Sequence, residues 1–312
     1  RQRADEICAP HAEDPWLFGY FFDNELAWWG DDRRVSHGLF DSVMALPANH
    51  SAKNALLSYL RDRYAEIGGL NDAWGAAYDS YEAFAAADTA GGTKAETVEA
   101  DKTGFVQLIA NRYFDVVSGA IREADPNHML LGCRFAGGVL PAYDAAYRAA
   151  ARTCDIVTFN HYGRVDLDTA EVWNRDREGL RVPLSDLFAR FHQRAGGRPL
   201  MITEWSFPAY DSGLPCKHGA GQRVDTQAQR SRAFELYQKL MVGLPFMVGS
   251  NFFMWVDEPE LGIAAHFHED SNYGLVNEQD EPYRLLVETA ADVHEKVCGI
   301  HAGLTAELEV LA

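Results

Sequence analysis

The sequence predicts an α/β protein built on a parallel sheet, and three observations carry that reading. Five short runs, residues 17–22, 129–135, 156–160, 200–203 and 247–255, are apolar on consecutive positions rather than alternating. Strands covered on both faces read this way. Helical patterns separate the runs, and Gly- or Pro-centred turn signals such as Asp125-Pro126-Asn127 and Gly243-Leu244-Pro245 stand just before the next run.

The first run ends in Asp23-Asn24-Glu25. Residues 30–102 then form a long excursion before the second run, an elaborated loop rather than a second domain. Within it, Ser51 can cap a helix whose apolar positions Leu56, Leu60, Tyr64 and Ile67 recur every three to four residues, with a stop at Gly68-Gly69. An Asn71-Asp72-Ala73-Trp74 turn follows, and the small-residue stretch 83–92 reads as an exposed loop. A second helix starts near Thr103 and carries Phe105, Leu108, Ile109, Val116, Val117 and Ile121 up to Asp125-Pro126-Asn127. A third opens with the capping-box pattern Thr226-Gln227-Ala228-Gln229 and aligns Phe234, Tyr237 and Met241. Strand–helix–strand alternation implies parallel pairing with right-handed crossovers. Five strands are countable, and a closed eight-stranded barrel needs three more, which an upstream segment would supply.

Composition bounds the function. The chain has 312 residues, 47% hydrophobic and 24% charged, enough for a sizeable core without disulfides. Its formal net charge of −18 argues against non-specific binding to nucleic acid or to an anionic membrane surface. A neutral sugar fits this balance; a strongly anionic polymer needs a local basic patch. The five cysteines show no zinc-type spacing and read as reduced, mostly buried thiols. No run of 18 apolar residues is present. The opening Arg1-Gln2-Arg3-Ala4-Asp5-Glu6 reads as the middle of a helix, so the expected N-terminus lies further upstream.

Two stretches can carry chemistry. In Gly19-Tyr20-Phe21-Phe22-Asp23-Asn24-Glu25 an apolar strand ends in three polar residues, and a Glu there can serve as a proton donor. In Leu200-Met201-Ile202-Thr203-Glu204-Trp205 the pattern repeats, and a carboxylate so held can attack an anomeric carbon. Either acid alone reads equally well as a helix cap or an ion-paired strand end. Two of them ending strands of one parallel sheet fit the paired carboxyls of a glycosidase, about 5–5.5 Å apart in retaining enzymes and about 6.5–9.5 Å in inverting ones.

On these residues the chain resembles clan A glycoside hydrolases. Asn24-Glu25 is similar to the Asn-Glu ending their fourth strand, Glu204 to the nucleophile ending their seventh, and Met254-Trp255 to their eighth strand, whose Trp floors the sugar subsite. Residues 19–28, 51–74, the strand ending in Arg134 and Ser271-Asn272-Tyr273-Gly274-Leu275 resemble glycoside hydrolase family 50, the β-agarases, and more loosely the family 42 β-galactosidases. The resemblance implies a (β/α)8 TIM barrel of which this chain carries strands four to eight, a retaining mechanism, no metal or other cofactor, and a secreted or periplasmic setting. It implies Glu25 as acid/base, Glu204 as nucleophile and Asn24 as partner of the sugar 2-hydroxyl. The barrel would be completed by an N-terminal segment or a partner chain.

Further residues join the substrate-binding set. Asp23 and Trp205 flank the two glutamates. Arg134 can hold a carboxylate or a sugar hydroxyl, or form a structural ion pair. Asn160-His161-Tyr162 end the third strand: Tyr162 can bond the nucleophile, and His161 can touch substrate or simply pack. Trp255 can stack on a pyranose face or lie in the core. Asp257-Glu258 can bind hydroxyls, with a helix cap the commoner role. The Gly- and Pro-rich loop 206–223 follows Glu204 and would shape a subsite, with Lys217 and His218 expected in solvent. His266-Phe267-His268-Glu269-Asp270 is weak evidence for a metal. The expected substrate is an agarose-like galactan. β-Galactosides or sulfated galactans are the alternatives within the clan, and a non-catalytic carbohydrate-binding pseudoenzyme is the alternative of another class.

Overall fold

The structure is a computed structural model that describes residues 1–30, 34–137, 143–262 and 268–303. The strands are β1 (Gly19–Phe21), β2 (Met129–Gly132), β3 (Phe135–Ala136), β4 (Val157–Asn160), β5 (Arg164–Val165), β6 (Val172–Arg175), β7 (Arg181–Pro183), β8 (Leu200–Glu204) and β9 (Met247–Ser250). The α-helices are α1 (Gln2–Ile7), α2 (Gly38–Met44), α3 (Ser51–Tyr64), α4 (Ile67–Trp74), α5 (Tyr81–Ala86), α6 (Ala95–Ala124), α7 (Tyr143–Thr153), α8 (Leu184–Arg194), α9 (Gln227–Gly243) and α10 (Arg284–His301). The α/β class is as the apolar runs predict. The chain divides into two compact units, one of Arg1–Gly19, Leu26–Leu130 and Val139–Cys154, the other of Tyr20–Glu25, Leu131–Gly138 and Asp155–Ala312.

The first unit is helical. Its axis is α6, whose buried positions Val98, Asp101, Lys102, Phe105, Val106, Ala110, Phe114, Ser118 and Ile121 recur at helical spacing. Phe40, Trp74, Phe84 and Phe105 pack edge to face or tilted around it. Asp101 is wholly buried in this apolar setting. It is tolerated because it accepts from Trp74 Nε1 at 2.7 Å and from Tyr64 Oη, and pairs with Arg63 Nε at 2.6 Å.

Four expectations for this part of the chain are corrected. The helix from Ser51 ends at Tyr64, not at Gly68-Gly69, because Ala65 takes φ 55° and breaks it. Both glycines instead lie inside α4, held helical by the fully buried Leu70 and Trp74. The expected turn at Asn71-Asp72-Ala73-Trp74 is the last turn of α4, closed by Gly75 in the left-handed region at φ 64°. The stretch 83–92 is not an exposed loop at its start. Phe84 is fully buried 5.0 Å from the Tyr78 ring, and the buried Lys53 donates from Nζ to Ala87 O at 2.9 Å. The helix expected from Thr103 begins at Ala95; the buried Asp101 and Lys102 hide its apolar period.

The second unit holds a four-stranded sheet in the order β3-β4-β8-β9, parallel throughout. Helix α8 lies between β4 and β8 in the chain, and α9 between β8 and β9, as crossovers of a parallel sheet require. Thr226 caps α9 by accepting from Gln229 N, as its capping box predicts. Strands β1 and β2 pair separately. Phe22 N bonds Gly132 O and Glu25 N bonds Arg134 O, so the two segments advance in parallel.

The run 129–135 is broken rather than continuous, since Gly132 takes φ 83° and Arg134 φ 38° between β2 and β3. The run 247–255 is regular only to Ser250. An antiparallel sheet β5-β6-β7, which no run predicted, follows β4. Among the described residues no helix is long and apolar enough to cross a membrane. Cys8, Cys133, Cys154 and Cys216 are buried, as expected of most of the thiols, and Cys298 is exposed.

Candidate active site

The polar ends of the parallel strands converge in the second unit. Glu25 stands in the turn after β1 at φ 51°, an uncommon backbone region for a residue with a side chain. The bond from its own N–H to Arg134 O at 3.1 Å fixes that turn. Arg134 is placed by the break between β2 and β3. Its N–H donates to Thr158 Oγ1 at 3.2 Å, and the same hydroxyl donates to Leu131 O at 2.6 Å, so a buried threonine of β4 stitches the break.

Asn160 ends β4 with a side chain buried to 1% exposure. Its Nδ2 donates to Glu25 Oε1 at 2.8 Å and to Asn24 Oδ1 at 3.1 Å, and its Oδ1 accepts from Thr203 Oγ1 at 2.7 Å. One amide therefore links the turn after β1 to the end of β8. Glu204 closes β8. Arg134 Nη2 donates to Glu204 Oε1 at 2.5 Å and to Thr203 O at 3.1 Å. Tyr162 Oη donates to the other oxygen, Glu204 Oε2, at 3.2 Å. The Arg134 guanidinium also lies 5.9 Å from the Phe21 ring.

The two carboxyls have different surroundings. Glu204 is half-buried, and burial pushes its pKa up; Arg134 pulls it down, the charge of Glu25 pushes it up, and the Tyr162 hydroxyl pulls it down. The net direction is upward. Tyr162 is held far into its neutral form, chiefly by burial and then by the Glu204 charge, so its hydroxyl is a permanent donor. Glu25 is exposed and accepts from a neutral amide rather than from a cation.

Other residues of the expected set fall elsewhere. His161 is buried, with Nδ1 against Tyr237 Oη at 2.9 Å and Nε2 against Asn174 Nδ2 at 3.0 Å. Asn174 can only donate from that nitrogen, so Nε2 accepts and Nδ1 carries the proton. Burial holds this imidazole neutral, with a pKa lowered to about 3. A substrate contact by His161 is thus replaced by an anchoring role. Trp205 is likewise core, 1% exposed and packed on Phe234, Tyr237 and Phe252. Asp23 and Asn24 are exposed in the turn after β1, and Trp255 is 68% exposed beyond β9, where a ring face is open to a ligand.

The loop after Glu204 is ordered by its own polar groups. Arg223 donates to the carbonyls of Gly219 and Gly221, both at 2.9 Å, and Asp270 caps the N–H groups of Lys217 and His218, both at 2.8 Å. Gly221 at φ 88° lies where a Cβ would come within 3.2 Å of the Tyr162 ring, so the loop lies directly against the tyrosine that bonds Glu204. Lys217 and His218 are exposed, as expected. Asp257 is neither a free hydroxyl ligand nor a helix cap: it accepts from Gly274 N at 2.7 Å and from Tyr283 Oη at 2.5 Å. Glu258 is buried, and no donor among the described residues reaches either of its oxygens.

Sequence reasoning missed Thr203 as the partner of Asn160, Asn174 and Tyr237 as the partners of His161, and Arg230, whose buried guanidinium bonds Phe207 O at 2.9 Å and Gly274 O at 2.8 Å. Only Thr203 carried a signal, its place beside a candidate glutamate. Among the described residues no group of three or more His, Cys, Asp or Glu is placed to hold a metal; His266 and Phe267 lie outside the described residues.

Comparison with known proteins bears on this geometry. The family profile of glycoside hydrolase 42, described as beta-galactosidase, matches residues 12–210. Beta-agarase B of Vibrio sp. (strain JT0107) is 29% identical over 287 residues, which cover 91% of this chain and 28% of the relative. Beta-agarase A of the same strain is 29% identical over 309 residues, 96% of this chain and again 28% of the relative. A solved exo-beta-agarase superposes with a TM-score of 0.80 at 27% identity, covering 97% of this chain and 38% of that one. The chain thus spans about 28% of the length of the curated relatives it matches.

Proposed function

Because the chain belongs to glycoside hydrolase family 42, the β-galactosidase family, and resembles the family 50 agarases, we propose that it carries the catalytic pair of a retaining β-glycosidase. Glu25 is the acid/base and Glu204 the nucleophile. The substrate is a galactose-containing poly- or oligosaccharide, agarose-like in the first instance, because the relatives matching nearly the whole chain are agarases.

The observation that carries the assignment is the asymmetry of the pair. Glu204 has an arginine on one oxygen and a tyrosine hydroxyl on the other. Both favour a carboxylate held ready to attack. Glu25 instead accepts from a neutral amide and has no cation on it among the described residues. In the first step a Glu204 oxygen bonds to the anomeric carbon while the glycosidic C–O bond breaks, and the Glu25 proton goes to the leaving oxygen. In the second step Glu25, now a carboxylate, takes a proton from water. The water oxygen displaces Glu204 from the anomeric carbon, and the β configuration is restored. Asn24 takes the sugar 2-hydroxyl on this reading, supported by its position beside Glu25 and its bond from Asn160. Trp255 offers a stacking face.

On this reading β1, β2–β3, β4, β8 and β9 are the fourth to eighth strands of one (β/α)8 catalytic domain. Residues 30–102 elaborate the connection after the first of them. The remaining strands come from a segment or partner outside these residues. In support, β9 ends its sheet with no further strand beside it among the described residues, and Val248 on it is 48% exposed.

A β-galactosidase acting on short galactosides is a second reading, favoured by the family description. Hydrolysis of agarose, neoagaro-oligosaccharides and aryl β-galactosides, followed by NMR from the first turnover, tests the proposal. A β-configured first product is expected, with loss of turnover in Glu25→Gln and Glu204→Gln. An inverted first product removes the nucleophile role from Glu204, and wild-type turnover in both variants removes the site.

A further inference from the structure

The three-stranded sheet β5-β6-β7 has two unlike faces. Register pairs Arg164 with Trp173, Trp173 with Pro183, and Arg175 with Arg181, so these five residues share one face. Val165, Val172, Asn174 and Val182 share the other. The valine face is turned inward, with Val165 and Val172 buried. From that side Asn174 bonds His161 Nε2, which ties the sheet to the strand end carrying Asn160.

The outer face is a tryptophan ringed by arginines. The guanidinium carbons of Arg181, Arg164 and Arg175 lie 4.3, 5.6 and 6.0 Å from the Trp173 ring centroid. All three arginines are exposed, and Trp173 is half-buried among them. Their charges are not equally satisfied. Arg181 is bonded by Glu171 and lies 3.4 Å from Asp166. Arg175 gives one nitrogen to Gly179 O at 2.6 Å, and neither it nor Arg164 has a carboxylate partner among the described residues. Of the nearby acids, Asp176 faces Arg190 at 3.7 Å and caps the turn at Glu178 and Leu180. The Arg164 guanidinium and the remaining nitrogens of Arg175 are therefore left without a carboxylate partner among the described residues, beside an aromatic ring, on a chain whose net charge is −18.

We propose that this face is an accessory subsite for a sulfate ester on a galactan chain. Arg164 and Arg175 would take the sulfate oxygens, and Trp173 would line the adjoining sugar. A guanidinium fork matches the geometry of a tetrahedral oxyanion. At physiological ionic strength the acidic remainder of the molecule is screened beyond about 8 Å, so a compact basic face can hold an anion that the whole surface would repel. The occupant is a galactan because the sheet is anchored to the strand end of the candidate active site. In that respect the inference rests on the proposed function.

Affinity electrophoresis of the full chain through gels containing agarose, a sulfated galactan such as carrageenan, or heparin tests it without any turnover. The sulfated galactan is expected to retard the wild type more than agarose or heparin does. Arg164→Ala/Arg175→Ala is expected to weaken that retardation at least about tenfold, as the loss of charge-assisted hydrogen bonds does. Arg164→Lys/Arg175→Lys, which keeps the charge without the fork, is expected to restore only part. Thermal melting of each variant verifies folding. Equal retardation of the double alanine variant and the wild type overturns the subsite, and equal retardation by heparin overturns the galactan as its occupant. A wild type that is retarded but hydrolyses no galactan refutes the proposed activity while leaving the subsite standing.

Discussion

Asn160 Nδ2 lies 2.8 Å from Glu25 Oε1, and the amide that makes this bond is 1% exposed. A buried amide with its oxygen on Thr203 cannot rotate without breaking bonds on both sides. It therefore fixes where the Glu25 carboxyl points relative to the end of β8. Asn160→Ala leaves Thr203 and Asn24 without their partner and Glu25 without its donor. A buried polar group so abandoned costs about 1–3 kcal/mol. The expected result is a fall in kcat of about 5- to 150-fold, with a lowered Tm. Asn160→Asp, which sets a carboxylate against Glu25, is expected to be worse in kcat than its Tm predicts. Steady-state rates and melting curves of the two variants measure this, and rates that merely follow Tm would make Asn160 a packing residue.

The acid limb of the pH profile should be governed by Glu204. On the proposed assignment Glu204 is the nucleophile and works as a carboxylate, and burial already pushes this group up. Arg134 and the Tyr162 hydroxyl both favour its charged form. Removing either raises the pKa further, so the limb of kcat/KM moves to higher pH. Arg134→Met should move it more than Tyr162→Phe, because a cation stabilises the carboxylate more than a neutral donor does. A limb unmoved in Arg134→Met would mean that another group sets it.

Two buried groups should shape stability against pH with opposite signs. His161 is held neutral, its pKa lowered to about 3 from an ordinary 6.5. Between those values the unfolded chain takes a proton that the folded one refuses, so stability falls as pH drops below 6.5. Glu258 is pushed up to about 8 from 4.5, by burial first and then by the charge of Glu269. Between those values the folded state keeps a proton that the unfolded chain releases, so stability falls as pH rises from 4.5 to about 8. Each such group contributes a slope of at most about 1.4 kcal/mol per pH unit. Glu258→Gln should abolish the fall from pH 6.5 to 8 and, between pH 5 and 6.5, where the two groups oppose each other, should unmask the rise of stability with pH that His161 contributes. Urea unfolding at pH 5, 6.5 and 8 reads both effects.

The parallel strands were legible because strands covered on both faces are apolar at every position: three of the five runs lie over one observed strand with small shifts at their ends, while 129–135 splits into β2 and β3 and 247–255 is regular only to Ser250. Where a helix was missed or its start misplaced, the signals are mixed. Helix α6 buries Asp101 and Lys102 at its start, and α4 runs through Gly68-Gly69 because Leu70 and Trp74 are driven into the core. Tertiary burial there overrides propensity. The sheet β5-β6-β7 was illegible for another reason. Its strands are two to four residues long, and half of their side chains are arginines or face solvent. At the site, the strand-end position of Glu25, Arg134, Asn160 and Glu204 followed from pattern alone. The inward turn of His161 and Trp205 did not, because a strand end exposes alternate residues and the sequence does not mark which face is the mouth.

The roles of the two glutamates can be separated by azide. On the proposed assignment, Glu25→Ala removes the proton donor of the first step. The loss, about 10²- to 10⁴-fold for general acid catalysis, should shrink on aryl glycosides whose leaving group needs no proton. The glycosyl-enzyme on Glu204 would then accumulate, since no base activates water. Azide, which needs no base, should release it from the face that water uses and yield a β-glycosyl azide. In Glu204→Ala no such intermediate forms. Azide then fits the space left by the carboxylate and attacks the substrate directly, so the product is the α-azide and Glu25 must still be present. NMR of the two azide products decides the assignment. A β-azide from Glu204→Ala with an α-azide from Glu25→Ala would exchange the roles, and no rescue in either variant would remove both carboxyls from the reacting centre.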